Sequence, residues 1–509
     1  PSTETAMDAV CSYGCFPIIL FAFLVFRFLF RRPTRNLPPS PWALPIIGHL
    51  HHLRGKPLHE ALAVLSRRYG PILHLRLGVR SAVAVSSPTA VQECFTKNDV
   101  IFANRPRTVA GDTLTYNYTA VAWAPYGQLW RVLRRVALVE VFSPICLQKA
   151  SPIRDEETTN LARRLFRASS RGEQKVDLQL MFSFLSFDVI LKIVAGKRFC
   201  EGDSRDMEAA RQLLKDLREM FVVSMPMTSL HDFLPILRWF GYSGMEKKLG
   251  KLQRKRDEFL QNLIDEARQK ANSDPSLKSE GEVGRKKNTF METLLSLHES
   301  DPEFYTEGVV KSMVLTMFIA GTGTSVISME RAMSLLLSHP EALQKVREEI
   351  DGRIGCARLL RDSDLAGLPY LRCVVYETLR LHPPAQLLLP HFSSGECTLG
   401  GYEVPRETMV LVNAWAVQRD PTAWEEPEEF MPERFAGVEG EREGCRFIPF
   451  GMGRRACPGA AMALRIIALG VGVIVQGFEW ETAASSADSQ PLEGLCSPRR
   501  EFVPLLAEL

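Results

Sequence analysis

The chain has 509 residues, of which 46% are hydrophobic and 24% charged, the balance of an ordinary globular protein. A formal net charge of +3 gives no bulk electrostatic case for nucleic acid. The eleven cysteines are odd in number, scattered without paired spacing, and show no CxxC or Cys/His cluster, so they read as mostly reduced core thiols and argue against zinc. Length alone would suggest about three domains. Residues 50–509, however, hold no Pro/Gly/Ser linker, repeat or low-complexity tract, so one large, mainly helical body is expected.

Between Ala9 and Phe30 the only charge is Arg27, in a stretch containing "FPIILFAFLVFRFLF". As a helix it would run roughly 33 Å, enough to cross a bilayer core. Glu4 and Asp8 precede it and Arg31, Arg32 and Arg35 follow, so the positive-inside rule puts the bulk of the protein in the cytosol. A cleaved signal peptide is the rival, but Arg-Arg-Pro follows the apolar run and no small-residue cleavage site is evident. Met7 reads as the natural start, with residues 1–6 an extension. The expected organisation is a lumenal 1–8, a transmembrane signal anchor over 9–30, a basic and proline-rich hinge over 31–50, and a domain over 51–509. Pro38, Pro39, Pro41 and Pro45 stiffen the hinge.

Amphipathic helices are expected at about 57–69, 126–142, 205–223, 244–271, 290–298 and 341–351, with strands in "ILHLRLG" and "SAVAVSS". Lys270 to Asn288 is polar and reads as a solvated loop. Asn117-Tyr118-Thr119 is a glycosylation sequon that a cytosolic domain never presents for modification. Ser312 to Met329 is uncharged and long enough to invite a second membrane span. Eight of its 18 residues are Ser, Thr or Gly, clustered in "AGTGTS", which fits a long helix through the middle of a domain better.

Near the C-terminus, "IPFGMGRRACPG" sets Cys457 among glycines and arginines, just before an apolar run read as a helix with Pro458 at its first position. A cysteine at a helix N-terminus, with Arg455 nearby, is expected to favour thiolate. Gly451, Gly453 and Gly459 would clear space for a large flat partner. Two other readings compete. One is an inert core cysteine. The other is a GxGxxA dinucleotide fingerprint, which would need a preceding strand and a βαβ unit that the flanking sequence lacks.

At this point the chain resembles the cytochrome P-450 family. "FGMGRRACPG" matches FxxGxRxCxG through Phe450, Gly453, Arg455, Cys457 and Gly459. "ETLR" supplies Glu377 and Arg380 of ExxR, "PERF" supplies Arg434, and "WRVLR" supplies Trp130 and Arg134 of WxxxR. "AGTGTS" is similar to the oxygen-activation stretch of the family's central helix, and the proline hinge to that of microsomal members. The resemblance covers essentially the whole chain beyond residue 7.

It implies a mainly α fold with small β-sheets, and haem b with Cys457 as the axial iron ligand. Haem contacts would come from Arg455, Trp130, Arg134, Arg105, His391, Phe450 and Gly451. A structural triad of Glu377, Arg380 and Arg434 would support the haem core, and an oxygen-activating stretch would comprise Ala320, Gly321, Gly323 and Thr324. Where such monooxygenases usually carry an acid before the threonine, this chain has Gly323, and Arg331 stands where plant relatives carry an aromatic.

Two longer stretches, around 286–325 and 400–421, look like plant microsomal members. Those hydroxylate flavonoids, isoflavonoids or indolic compounds, or demethylate or hydroxylate herbicides in grasses. Expected partners are dioxygen, a small apolar substrate, membrane lipid, NADPH-cytochrome reductase and cytochrome b5, at the endoplasmic reticulum, and no nucleic acid. Arg131, Arg135 and Arg454 are candidate docking charges. By analogy the pocket is lined by 107–122, 220–230, 313–320, 384–389 and 494–498. The alternatives are a haem-thiolate isomerase or dehydratase, and a haem protein that binds ligands without efficient turnover.

Overall fold

The computed structural model describes residues 35–170, 175–198, 230–239, 244–273, 289–437, 444–482 and 493–509. The expected anchor, the helix at 205–223, nearly all of the pocket stretch 220–230 and most of the loop 270–288 lie outside them. The longer helices, in chain order, are α1 (Leu58–Tyr69), α2 (Gln128–Glu140), α3 (Ser151–Ser170), α4 (Leu178–Ala195), α5 (Gly244–Ser273) and α6 (Phe290–Ser300). They continue with α7 (Glu307–Gly321), α8 (Gly323–Ser338), α9 (Pro340–Ile354), α10 (Pro369–Leu381) and α11 (Ala460–Gly477).

Among the described residues, three small sheets flank this helical mass. Strands β1 (Ile72–Leu77) and β2 (Arg80–Val85) form a hairpin, extended by β7 (Met409–Val412) and β4 (His391–Phe392) in the order β1-β2-β7-β4. The β2–β7 pairing is parallel and the other two are antiparallel. A second sheet joins β3 (Lys175–Asp177), β9 (Glu493–Pro498) and β8 (Phe478–Thr482), and β5 (Cys397–Leu399) pairs with β6 (Tyr402–Val404). The β1–β2 turn requires glycine at Gly78. Its φ is +58°, and a Cβ there would stand 2.0 Å from the Phe233 carbonyl oxygen.

Helices α4, α8 and α11 pack into one apolar cluster that includes Phe182, Leu185, Met329, Met333, Ile466 and Val473. Three segments, Leu178–Ala195, Glu307–Ser338 and Ala460–Gly477, are long and apolar enough to cross a membrane by length and composition, yet most of each is buried inside the fold. The stretch that invited a second span is thus the middle of the domain. It is not one helix: α7 ends at Gly321 and α8 starts at Gly323, with a break at Thr322 (φ −94°, ψ −73°). Hydroxyls there return to the backbone, Thr322 donating to Phe318 O and Thr324 to Ala320 O, both at 2.7 Å. Such back-bonding bends helices.

Candidate active site

The Cys457 loop is closed by its own backbone, with Cys457 N–H donating to Phe450 O at 2.8 Å. Inside it, Gly451 and Gly453 have φ of +71° and +69°. A Cβ on Gly453 would lie 2.4 Å from Asp99 Oδ1, the oxygen that accepts Arg454 N–H at 3.0 Å. Asp99 is therefore the side chain that pins the loop, and nothing in the sequence singled it out. Helix α11 begins at Ala460, with Gly459 as its cap. Pro458 is not its first residue, as the sequence had suggested; Pro458 and Gly459 form a turn between the cysteine and the helix.

The titration of the thiol also differs from expectation. Burial pushes the Cys457 thiol up, while the Gly459 N–H and the Arg134 guanidinium pull the other way without overcoming it. The helix dipole starts too late to dominate, and the cation that acts on the sulfur is Arg134, not Arg455. Even so, Cys457 is accessible to solvent while protein surrounds it densely. A group so placed lies at the bottom of a recess.

Around it the structure gathers the expected cations. Arg134 Nη2 donates to Ala456 O at 2.8 Å, next to the cysteine. Arg455 donates to the carbonyls of Ala103 (2.7 Å), Val121 (3.1 Å) and Ala124 (2.6 Å). Arg105 donates to those of Ala122 (3.0 Å), Leu389 (2.8 Å) and Pro390 (2.9 Å). Buried His391 bonds Phe102 O through Nδ1 at 2.8 Å. The Trp130 ring lies 4.5 Å from the Arg455 guanidinium and 5.5 Å from that of Arg134.

No carboxylate among the described residues pairs with these three guanidiniums; carbonyl oxygens are their hydrogen-bond acceptors. Burial, and then Arg134, bring Arg455 down to about 9. Burial, and then the Arg455 charge, hold Arg105 well below its ordinary value. Burial, then Arg105, and more weakly Arg455, hold His391 well below its own. The buried Trp130 Nε1 has no hydrogen-bond partner. Buried and half-buried cations without a carboxylate partner, beside an unused N–H donor, make a receptor for carboxylates. A flat cofactor bearing carboxylates, set over a cysteine, fits this donor set.

A second cluster lies behind the loop. Glu377 and Arg380, both 0% exposed, share two hydrogen bonds of 2.7 and 2.8 Å. Arg434 Nε reaches Glu377 Oε1 at 3.3 Å, and Met431 N–H reaches the same oxygen at 2.9 Å. Arg380 also donates to the carbonyls of Gln418, Pro427 and Glu429. Buried Gln418, which the sequence gave no reason to select, ties the cluster to the loop. Its amide donates to Leu379 O and Arg380 O, and its carbonyl accepts Ile448 N–H.

Ala320 at the end of α7 and Thr324 and Ile327 near the start of α8 are exposed, while Phe318, Ser325, Val326 and Ser328 are buried. Gly321 has a packing role: a Cβ there would meet Ile190 Cδ1 of α4 at 2.7 Å. A Cβ on Gly323 would meet nothing within 4 Å. Of the candidate docking charges, Arg131 and Arg135 are exposed, and Arg454 pairs with Asp99 at 3.2 Å.

Comparison with known proteins agrees with this geometry. The cytochrome P-450 family profile matches residues 38–504. A (+)-piperitol/(+)-sesamin synthase of Sesamum radiatum is 41% identical over 99% of both chains. An isoflavone 2'-hydroxylase of Medicago truncatula is 42% identical over 93% of this chain and 92% of its own. Among solved structures, a zebrafish cytochrome P-450 with progesterone superposes with a TM-score of 0.73 at 26% identity, covering 87% of this chain and 100% of that one. The chain belongs to the cytochrome P-450 family. It is a haem-thiolate monooxygenase, an oxidoreductase similar to plant hydroxylases, and its cofactor is haem.

Proposed function

We propose that this enzyme inserts one atom of dioxygen into a small apolar, often aromatic compound, by hydroxylation or O- or N-demethylation. Its substrate would be a plant secondary metabolite or a herbicide. The relatives named for isoflavones and for piperitol and sesamin support that class. The reading further places residues 9–30 across the endoplasmic reticulum membrane, with 1–8 lumenal, 31–50 as hinge and 51–509 in the cytosol. NADPH-cytochrome reductase is the electron donor and cytochrome b5 an auxiliary one.

The observation that carries the reading is the set of three guanidiniums, Arg105 buried and Arg134 and Arg455 half-buried, with one unused indole N–H, gathered around a thiol. Haem supplies dioxygen activation, with the sulfur ligand donating electron density to iron. Cys457 is that ligand. Arg105, Arg134, Arg455, Trp130 and His391 hold the carboxylates, and Phe450 and Gly451 flank the sulfur. Ala320 and Gly321 would wall the site, and Thr324, whose hydroxyl donates to Ala320 O, would position water there. Gly323 carries no proton, and its open surroundings leave water to take the place of the usual acid. Glu377, Arg380 and Arg434, through Gln418, fix the frame on which the cysteine loop rests.

A reduced carbon-monoxide difference spectrum tests this directly. The wild type should give the thiolate-type band and Cys457→Ser should lose it, because a hydroxyl is a harder, less basic ligand. Retention of the band in the variant would remove Cys457 from the role. Gly323 is the one observation favouring a second reading, a haem-thiolate isomerase or dehydratase, or a ligand-binding protein with weak turnover. Oxygen- and NADPH-dependent product with reductase decides between them.

A further inference from the structure

The segment 107–124 ties the pocket region to the cation cluster. At its end, the carbonyls of Val121, Ala122 and Ala124 are the ones gripped by Arg455 and Arg105. In its middle, Tyr116, Asn117 and Tyr118 are all left-handed, with φ of 49°, 57° and 61°. Two consecutive-but-one tyrosines in that region are sterically costly and persist only where the surroundings impose them. Tyr118 is locked locally: its hydroxyl accepts Thr108 N–H at 2.7 Å and donates to Thr108 O at 2.9 Å. Gly111 makes room for it, since a Cβ there would lie 2.6 Å from that hydroxyl.

Tyr116 is held differently, by another part of the chain. Its hydroxyl donates to Asp257 Oδ1 of α5 at 3.0 Å, and the same oxygen receives Lys311 Nζ of α7 at 2.9 Å. Lys311 is only 8% exposed, so its ammonium needs that carboxylate. The Asp257 side chain is 46% exposed, so the contact it offers Tyr116 lies within reach of water. The buried lysine fixes the aspartate, the aspartate fixes the tyrosine, and the tyrosine holds the strained turn.

We propose that Tyr116, through Asp257 and Lys311, is a latch that positions the 107–122 segment over the candidate pocket, and that release of its hydroxyl bond lets the turn relax and opens the way to ligand. The latch joins three elements distant in sequence through the Tyr116 hydroxyl, which meets Asp257 and, on the same helix, Gln253, and these contacts can break without unfolding any of the three. Strain in the turn favours the open form once they are lost. The role in ligand entry rests on the function proposed above; the mechanical role does not.

Hydrogen exchange on the full chain tests the mechanical role, with Tyr116→Phe removing only the hydroxyl. Amides of 107–122 should exchange about tenfold faster, the effect of one hydrogen bond, while those of α8 and β1–β2 stay unchanged. Asp257→Asn should show the same local pattern and decides the matter if the first variant does not fold. In haem-loaded protein, association of imidazole, followed by the shift of the haem absorption band, should quicken in both variants. Exchange within about twofold of wild type across 107–122, or an acceleration spread evenly over the chain, overturns the latch. Absence of the thiolate-type carbon-monoxide band in the wild type would instead fault the haem reading, and the exchange comparison would still stand.

Discussion

Gly323 stands where the family resemblance implies an acid, and the structure shows that nothing steric demands the glycine. Because a Cβ there meets only open space, Gly323→Asp should fold; Gly323 is the first residue of α8, where a carboxylate suits the helix N-terminus and offsets part of the cost of placing a charge. An acid beside Thr324 passes protons better than a glycine can. General acids typically contribute about 100- to 10,000-fold, and water already substitutes in part, so the low end or less is expected. The variant should form more product per NADPH consumed and release less peroxide at matched haem content. Equal coupling in the two proteins would show that water alone serves. At this scale the sequence was informative where chemistry is carried by side chains in short motifs. Cys457, Arg134, Arg455, Glu377 and Arg380 could be picked out, and the structure brings them into the two clusters described. It was silent on Asp99 and Gln418, whose importance comes from backbone groups remote in sequence.

Among the elements, those with a clear period matched well: α1, α5, α6 and the β1–β2 hairpin lie close to their expected bounds. Helix α4 went unnoticed because it is buried nearly all round and has no polar face to set a period. The break at Thr322 went unnoticed for a different reason, since back-bonded hydroxyls leave no composition signal distinct from ordinary helix. The segment 41–49 docks on β1 through a histidine. His49 Nδ1 accepts Arg76 N–H at 2.7 Å and its Nε2 bonds Pro41 O at 2.9 Å, while His74 on β1 lies beside Ser81 Oγ at 3.2 Å. Burial, and then His49, lower His74 to about 4, and burial also lowers His49. Both groups therefore bind protons more readily unfolded than folded. Their contribution is present above the ordinary histidine value near 6.5 and is lost as pH falls toward about 4. Stability should fall over that window by on the order of 3 kcal/mol for His74, seen as a lower thermal unfolding temperature, and His74→Gln should flatten the drop. An unchanged slope would show that these histidines are not the source.

For the molecule as a whole, the decisive feature is the trio Arg105, Arg134 and Arg455, gathered from three stretches of chain with no carboxylate among them. Each stabilises a loop through carbonyls, yet burial and mutual repulsion weigh on Arg105 and Arg455. Such a centre makes cofactor capture part of folding rather than an event after it, because whatever binds only the folded form adds its binding energy to stability. Chains made without haem should melt at lower temperature than loaded ones. Inorganic phosphate should recover part of the difference, whereas chloride at equal ionic strength should recover less. Indifference to both haem and phosphate would mean the arginines are already satisfied. In the cell, the amount of this protein then follows the supply of its prosthetic group. A chain that finds no haem would be left partly open to chaperones and proteases, so the charges that on the proposed reading seat the cofactor would also act as quality control.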